Sequence, residues 1–401
     1  NRRFLRNKSN VRPNICILES EHFSDEEIKQ LEELFKGTLP INFADVMNQF
    51  EHADILGSLI TPCISDITSL ESTLEKKKDS DDLFDTDTSL IERTEKVLKQ
   101  TRYLSKRYNI VITNPPYMSL KKMCPLLSAW AKGNFEDSKY DLCTMFIERG
   151  THLLIENGYL SMITMQSWMS LSDYELLRTR LLESTCITSM LHVGTRGFDA
   201  IGGEVVSTTA FILILSRQDL KGEYIDLTDG KTEQEKSDKA KYVILAKSYY
   251  VVHKKAFDSI PGKSIAYWIT KPIEDVFSIS FSLSNIAEAR QGIIPGNADL
   301  FIRNWPEVSY PNISRITNSY EAMKSSQCKW FPYMKGGDYR KWYGNMNNVI
   351  NMYNDAHDIK YSGKNNNYRL RDPKYYFIEG LTWTDITSSD ISVRYTPKGY
   401  L

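Results

Sequence analysis

The chain has 401 residues, a length that is long for one domain and natural for two. Its 50 basic and 51 acidic residues give a formal net charge of −1, so no excess of charge points to a particular class of partner. With 41% hydrophobic and 25% charged residues, the composition excludes a disordered or fibrous protein. Six scattered cysteines without a C-x-x-C motif argue against a disulfide framework or a metal site, and the lack of a signal peptide or of an apolar run of roughly 18–20 residues argues against a membrane protein.

The first part of the chain is predicted to be helical over most of residues 13–60. Ser24 followed by Glu27 has the spacing of a capping box, and apolar residues recur at helical spacing after it. The charge-dense segment 76–87 is predicted to be an exposed loop.

From about residue 90 the pattern changes to alternating helices and strands. The apolar strand Tyr108–Thr113 leads directly into Asn114-Pro115-Pro116-Tyr117. The alternation predicts an α/β fold with a mostly parallel sheet and helices on both faces. The predicted helices cover residues 90–108, 137–156 and 173–183, and the predicted strands cover residues 108–113, 158–165, 187–193 and 205–215.

The last third of the chain differs in composition. Segment 221–241 is charged and is predicted to be an exposed excursion, and turn signals within 270–310 indicate a connection between domains. Residues 329–401 contain eleven basic and seven acidic residues and 15 of the chain's 46 aromatic residues. Such a mixture fits a nucleic-acid contact or, equally, the aromatic core of a small domain.

The tetrapeptide Asn114-Pro115-Pro116-Tyr117 is the motif with chemical content. It follows a strand, where open α/β sheets place ligand sites, although two prolines can also simply end a strand. An exocyclic aromatic amine is a poor nucleophile, and an amide oxygen with a backbone carbonyl can accept its two hydrogens. The prolines stiffen the loop, and Tyr117 offers a face on which a base can stack. The motif therefore predicts methyl transfer to an amino group, without a covalent intermediate or a metal.

In its motifs the chain resembles the PglX-type adenine-specific DNA methyltransferases of bacteriophage-exclusion (BREX) systems, which carry the same tetrapeptide and act on N6 of adenine. The resemblance covers nearly the whole chain. Besides the tetrapeptide, it rests on the blocks at residues 57–60 (GSLI), 161–169 (SMITMQSWM), 198–206 (FDAIGGEVV), 329–333 (KWFPY) and 336–337 (GG).

The resemblance implies roles for residues around the target base. Asn114 and the Pro115 carbonyl would hold the amino group, and Tyr117 would stack on the base. Phe198, in the glycine-bearing loop after the predicted strand 187–193, matches an aromatic that packs on the other face of a flipped base. The alternative for Phe198 is a ring packed under the sheet edge.

The resemblance also implies S-adenosyl-L-methionine as cofactor. Asp141 and Phe146, in the pattern Asp141-Leu142-x-x-x-Phe146, match cofactor-binding positions, with the Phe against the cofactor's adenine. Phe146 could instead be a core residue of an amphipathic helix. Asp54 could accept a hydrogen bond from the same adenine or be an exposed loop carboxylate.

The sequence departs from the family in lacking a Gly-rich turn before the tetrapeptide. The resemblance implies that this turn precedes Asn1, so the chain is expected to be an internal fragment that is inactive alone. The expected organisation is a partial Rossmann-like methyltransferase domain at 1–270, a connecting region at 271–328 and the start of a mixed α+β target-recognition domain at 329–401.

Three functions remain open at this point. The first is a site-specific DNA adenine-N6 methyltransferase of bacterial anti-phage defence or restriction-modification, acting in the cytoplasm on double-stranded DNA, with other defence subunits as further partners. The second is a protein-glutamine N-methyltransferase, which uses the same tetrapeptide. The third is a non-catalytic DNA-binding or assembly component of a defence complex.

Overall fold

The computed structural model describes residues 14–79, 88–197, 206–362, 367–384 and 390–401. These residues form two compact units, Asn1–Ser280 and Phe281–Leu401, each described by itself below. The predicted connecting region 271–328 is divided between the two units.

The first unit begins with short helices that bury one side. At the first of them Ser24 caps the helix: its hydroxyl accepts from the Glu27 N–H at 3.3 Å, and the Glu27 carboxylate accepts from the Ser24 N–H at 2.8 Å. The predicted capping box is therefore confirmed. The helices are α1 Asp25–Leu34, α2 Phe43–Asn48, α3 Ala53–Leu56, α4 Thr68–Asp79 and α5 Thr88–Ser105, and their shared core includes Leu31, Phe35, Val46, Phe50, Leu70 and Val97.

A six-stranded sheet follows, with helices between its strands. The strands are β1 Tyr108–Thr113, β2 Leu154–Met165, β3 Cys186–Gly194, β4 Thr208–Ile214, β5 Lys221–Asp226 and β6 Tyr250–His253, in the order β1-β2-β4-β3-β5-β6. The intervening helices are α6 Pro125–Asn134, α7 Leu142–His152, α8 Glu175–Ser184 and α9 Glu233–Ala246, and α10 Lys271–Ile279 closes the unit.

The sheet is mixed, so the α/β class is confirmed and the prediction of a mostly parallel sheet is wrong. β1 pairs with β2, and β3 with β5, in parallel, whereas β4 and β6 are antiparallel to their neighbours. The cause is the connection between β3 and β4, for which the sequence predicts no crossover helix, so that β4 returns antiparallel to β3. Strands β1, β2, β3 and β5 nevertheless point the same way, and their carboxyl ends meet at one edge, called the carboxyl edge below.

One face of the sheet is buried and the other is largely open at β1, β2 and β4. A Cβ on Gly150 of α7 would lie 2.7 Å from Leu160 Cδ1, which shows how closely this helix packs on the buried face. On the opposite face Ile110 and Ile112 are 61% and 75% exposed, and Tyr159 beside them is 44% exposed. Within the described ranges β1 pairs with β2 alone, so its other edge is unpaired there.

Several predicted boundaries are wrong. The helix predicted at 137–156 is shorter, because Asp141 caps it and its last turn ends at His152, where β2 begins two residues later. Residues 76–79 end helix α4 rather than forming a loop, and 80–87 lie outside the described residues. Segment 221–241 is not an excursion: it contains β5 and most of α9, and Tyr224 in β5 is 1% exposed.

The second unit has its own small core. Helix α11 Ala298–Phe301 precedes a three-stranded sheet in the order β7-β9-β8, and a two-stranded ladder β10–β11 follows. The remaining elements are β7 Ile302–Asn304, α12 Tyr320–Ser325, β8 Trp330–Tyr333, β9 Asn348–Asn351, α13 Tyr353–Tyr361, β10 Gly380–Trp383 and β11 Val393–Thr396, around a core that includes Phe301, Phe331, Ile350, Ile359, Tyr376 and Phe377.

The aromatic residues at 329–401 are divided between the core and the surface of this unit. Tyr333 and Tyr376 are buried in its core, whereas Tyr339 and Trp342 are 46% and 73% exposed. None of the helices in the described part of the chain has the length and apolar character that crossing a membrane requires.

Candidate active site

The tetrapeptide Asn114-Pro115-Pro116-Tyr117 lies at the carboxyl edge, directly after β1. Asn114 is exposed, Pro115 is buried, Pro116 is exposed and Tyr117 is half-buried. The Tyr117 hydroxyl lies 3.2 Å from the Ile163 carbonyl oxygen of β2 and 3.4 Å from Asn114 Oδ1. Burial raises the pKa of Tyr117 to about 12, so the phenol is neutral and can donate to these oxygens. The loop thus presents an accessible amide beside an aromatic ring held against the next strand.

Asp141 attaches the motif to helix α7. As the N-cap of this helix, its Oδ1 accepts from the Cys143 N–H at 3.0 Å and from the Met118 N–H at 3.3 Å. The Leu142 N–H donates in return to the Met118 carbonyl at 2.9 Å. The residue that follows the tetrapeptide is therefore held on both its N–H and its carbonyl, and this fixes the loop from its far end.

Two of the predicted cofactor residues lie together on α7, and the third lies elsewhere. Asp141 begins the helix, and Phe146, one turn later, is half-buried where two hydrophobic clusters meet. Asp54 lies on α3, where its carboxylate accepts from the Ser20 hydroxyl at 2.7 Å. The cofactor roles of these three residues stay predictions.

A buried arginine that was not predicted from the sequence joins helix α7 to the segment that follows Asp54. The Arg149 side chain of α7 is almost fully buried and donates to the backbone oxygens of Ser58, Ile60 and Leu104 at 3.0, 2.9 and 2.9 Å. Desolvation lowers its pKa to about 10, so the guanidinium stays charged at neutral pH. Because Ser58 and Ile60 belong to the shared GSLI block, Arg149 ties that block to the helix that begins at Asp141. The only signal in the sequence was a basic residue in the apolar stripe of a helix.

A second missed residue is Lys236 of α9. Its ammonium group is buried and donates to the carbonyls of Val193 and Leu227 at 2.8 and 2.7 Å, next to the carboxyl ends of β3 and β5. Lys236 thereby holds the start of the loop that carries Phe198. Phe198 itself, with residues 198–205, lies outside the described residues, so the predicted sandwich of Phe198 and Tyr117 stays a prediction.

A hydrogen-bonded chain continues along the carboxyl edge from β2 to β3. Gln166, directly after β2, places its Oε1 2.7 Å from His192 Nε2 of β3, and His192 Nδ1 lies 3.0 Å from the Tyr267 hydroxyl. Burial lowers the pKa of His192, so its ring is neutral near pH 7. Among the described residues, no group of three or more His, Cys, Asp and Glu side chains is placed to hold a metal ion.

Comparison with known proteins gives matches along most of the chain. Residues 24–198 match the Eco57I restriction-modification methylase family. The chain is 36% identical over 373 residues to the adenine-specific methyltransferase PglX of Lacticaseibacillus casei (strain Zhang), covering 90% of this chain and 31% of that protein. It is 39% identical over 306 residues to the adenine-specific methyltransferase BrxX of Escherichia coli O9:H4 (strain HS), covering 76% of this chain and 24% of that protein. The resemblance to methyltransferases of this type is therefore confirmed, and the chain spans less than a third of the length of these relatives.

Solved structures give weaker likenesses. A nuclease-deletion mutant of the Type ISP restriction-modification enzyme LlaGI, in complex with a DNA substrate mimic, aligns with a TM-score of 0.31 at 17% identity, covering 46% of this chain and 22% of that one. A class I S-adenosylmethionine-dependent methyltransferase from Listeria monocytogenes aligns with a TM-score of 0.26 at 18% identity, covering 57% of this chain and 80% of that one. Neither score supports a conclusion about function.

Proposed function

We propose that this chain carries the catalytic loop of a site-specific DNA methyltransferase that transfers a methyl group from S-adenosyl-L-methionine to N6 of adenine, in bacterial anti-phage defence or restriction-modification. The observation that carries the proposal is the position of Asn114. Its amide is exposed at the carboxyl edge, and the loop that holds it is fixed to β2 through Tyr117 and to α7 through Asp141.

The chemistry follows from the acceptors that this loop offers. The Asn114 side-chain oxygen and the Pro115 carbonyl would accept the two N6 hydrogens, which favours a lone pair on nitrogen directed at the methyl group. The rigid loop holds this geometry before the substrate arrives. Because adenine N6 is inaccessible inside a duplex, the nucleotide must be flipped out, and the face of Tyr117 would stabilise the extruded base.

The residues present fit the adenosine half of the cofactor. Bound S-adenosyl-L-methionine supplies an electrophilic methyl group on a sulfonium. Phe146 offers an aromatic surface for its adenine, and the carboxylates of Asp141 and Asp54 can accept hydrogen bonds from amino or hydroxyl groups. Asp141 is the better placed of the two, because it also fixes the catalytic loop.

The open edge of β1 is where we place the rest of the cofactor pocket. An unpaired strand with the exposed side chains of Ile110 and Ile112 is a place for further polypeptide to pair and pack. We infer that residues 1–270 are part of a methyltransferase domain, and that the full-length protein supplies the Gly-rich turn together with strands that pair with β1. In the same proposal, 271–328 is the connecting region and 329–401 begins the target-recognition domain.

The substrate distinguishes this function from the two alternatives. A protein-glutamine N-methyltransferase would use the same loop but has no use for the exposed cations and aromatic rings at 329–401, such as Arg340, Lys341 and Trp342. A non-catalytic component would not require an exposed Asn114 on a fixed loop. We therefore propose double-stranded DNA as the main partner, other defence subunits as further partners, and the bacterial cytoplasm as the location.

The product of the reaction tests the proposal. The full-length protein is incubated with plasmid DNA and S-adenosyl-L-methionine carrying a labelled methyl group, and the DNA is digested to nucleosides. Labelled N6-methyl-2′-deoxyadenosine is the expected product, and sequencing of the methylated plasmid should place it at a defined sequence. Label found in protein glutamine, or in neither polymer, would contradict the assignment.

A further inference from the structure

Trp268 is an exposed indole at the carboxyl edge, away from the catalytic loop. Its side chain lies in the segment after α9 and β6, and the residue is 45% exposed. Two contacts hold this segment at the edge: the Ile265 N–H donates to the Met169 carbonyl at 2.8 Å, and the Tyr267 hydroxyl lies 3.0 Å from His192 Nδ1. Met169 follows β2 and His192 is near the end of β3, so Trp268 lies at the same edge of the sheet as the tetrapeptide, which follows β1 and packs on β2.

The ring of Trp268 is held by aromatic neighbours. The His192 ring lies nearly parallel to it, with centroids 6.1 Å apart and planes 25° apart. The Tyr267 ring is perpendicular to it, with centroids 4.9 Å apart. Both are favourable aromatic geometries, and both partners are themselves buried. The indole is therefore fixed before any ligand arrives, which lowers the entropy lost on binding.

We propose that the exposed surface of Trp268 is a stacking platform for a DNA base other than the target adenine. This inference rests on the proposed function. Trp268 has the properties of a base-stacking residue: its ring is large, half-exposed, held in place and located at the edge where such sheets bind ligands. Any of the four bases could stack on it, because every base has a π-face.

The position along the sheet decides which nucleotide Trp268 can reach. Tyr117 follows β1 and packs on β2, whereas His192, on which Trp268 stacks, lies on β3. The order β1-β2-β4-β3 separates β1 from β3 by three strand spacings, or about 14 Å. A single base is too small to lie on both rings. Trp268 therefore contacts a second nucleotide and holds the DNA while the target base is flipped.

Photo-crosslinking with the full-length protein tests this directly. Once the methylated sequence has been mapped, duplexes are made with 5-iodouracil at single positions on either side of the target adenine and irradiated in complex with the protein. We expect an adduct on Trp268 from one or two adjacent positions. The adduct should disappear in Trp268→Leu while other adducts persist, and no adduct on Trp268 from any position would overturn the proposal.

Binding measurements provide the second readout. Trp268→Ala should weaken DNA binding about 5- to 140-fold, since a stacked base contributes about 1–3 kcal/mol, and Trp268→Phe should retain most of the affinity. The control is Tyr250→Ala, because Tyr250 is 44% exposed and packs on the same Tyr267 ring at 5.3 Å, but lies two strands further from β1. This variant should bind DNA within about twofold of the parent, as neutral surface changes do.

Two results would contradict the platform. An unchanged affinity in Trp268→Ala would show that the ring does not contact DNA, and an equal loss in Tyr250→Ala would show that the effect comes from a loosened aromatic cluster. If Trp268→Ala does not fold, crosslinking of the unmodified protein still shows whether Trp268 contacts DNA. A protein that binds and methylates DNA while failing these tests refutes the platform alone, whereas absent methylation refutes the proposed function.

Discussion

The guanidinium of Arg149 donates to the backbone oxygen of Ser58 at 3.0 Å, and this bond joins the turn Gly57–Leu59 to helix α7. The same side chain also satisfies two further buried carbonyls. The two parts of the chain proposed to contact the cofactor's adenine, Asp54 before this turn and Phe146 on α7, therefore depend on one buried cation.

Replacement of Arg149 by Met should destabilise the first unit, because three backbone oxygens lose their donor in a buried site. Each such loss costs about 1–3 kcal/mol, so we expect a loss of about 3 kcal/mol or more. The measurement is hydrogen exchange of segment 56–60 in the full-length protein, which should become faster. The control is Arg102→Met, which removes an exposed arginine from a 3.5 Å pair with Glu71 and should cost less than about 1 kcal/mol. Equal exchange rates in both variants would contradict the assigned role.

Tyr117→Phe keeps the ring but removes the hydroxyl that bonds to Ile163 and Asn114. We expect a lower kcat by about fivefold, corresponding to about 1 kcal/mol, with DNA affinity unchanged. Burial raises the pKa of Tyr117 above its unfolded value to about 12, so the phenol stays protonated in the folded protein. The ratio of kcat of the parent to kcat of Tyr117→Phe should therefore be constant from pH 7 to 10. Full activity in Tyr117→Phe would show that the hydroxyl does not position the loop.

The isolated chain of 401 residues should bind S-adenosyl-L-methionine weakly or not measurably, whereas the full-length protein should bind it well. The reason is the sequence's lack of a Gly-rich turn, together with the unpaired edge of β1 among the described strands. Titration calorimetry of both proteins provides the comparison. Tight binding by the isolated chain would mean that its own residues complete the cofactor pocket.

Exchange of residues 329–401 for the corresponding segment of a relative should change the methylated sequence without ending catalysis. The segment combines exposed cations such as Arg340 and Lys341 with the exposed rings of Tyr339 and Trp342. Cations can contact phosphates or guanine edges, and rings can stack. The methylated sites of parent and chimera are compared by sequencing, and an unchanged site preference would refute this role.

The sequence was sufficient where local chemistry decides the structure. The capping box at Ser24 and the strand Tyr108–Thr113 before the catalytic loop follow from spacing and apolar content alone, and both are confirmed. It was insufficient where long-range pairing decides. The direction of β4 depends on its partners β2 and β3, and charged flanks concealed β5, although Tyr224 is in the core.

The candidate site, like the fold, could be predicted from the sequence only in part. The tetrapeptide identified the loop, because its residue types carry the chemistry. The buried donors Arg149 and Lys236 were not predicted, because each acts on backbone carbonyls remote in sequence, such as Ser58 and Val193, and no spacing rule marks such carbonyls.

The proposed methyl transfer depends above all on Asn114, so its replacement is the decisive experiment. Asn114→Ala in the full-length protein removes the oxygen proposed to accept a hydrogen bond from the reacting amine. We therefore expect methylation of DNA to fall at least about 100-fold, the usual effect of losing one transition-state contact. DNA affinity should stay within about twofold, and Asn134→Ala, which changes an exposed Asn bonded to the Trp130 carbonyl, should leave both unchanged. The measurement is the initial rate of N6-methyladenine formation at saturating DNA and cofactor. A rate for Asn114→Ala within a few-fold of the parent would show that Asn114 does not have this catalytic role.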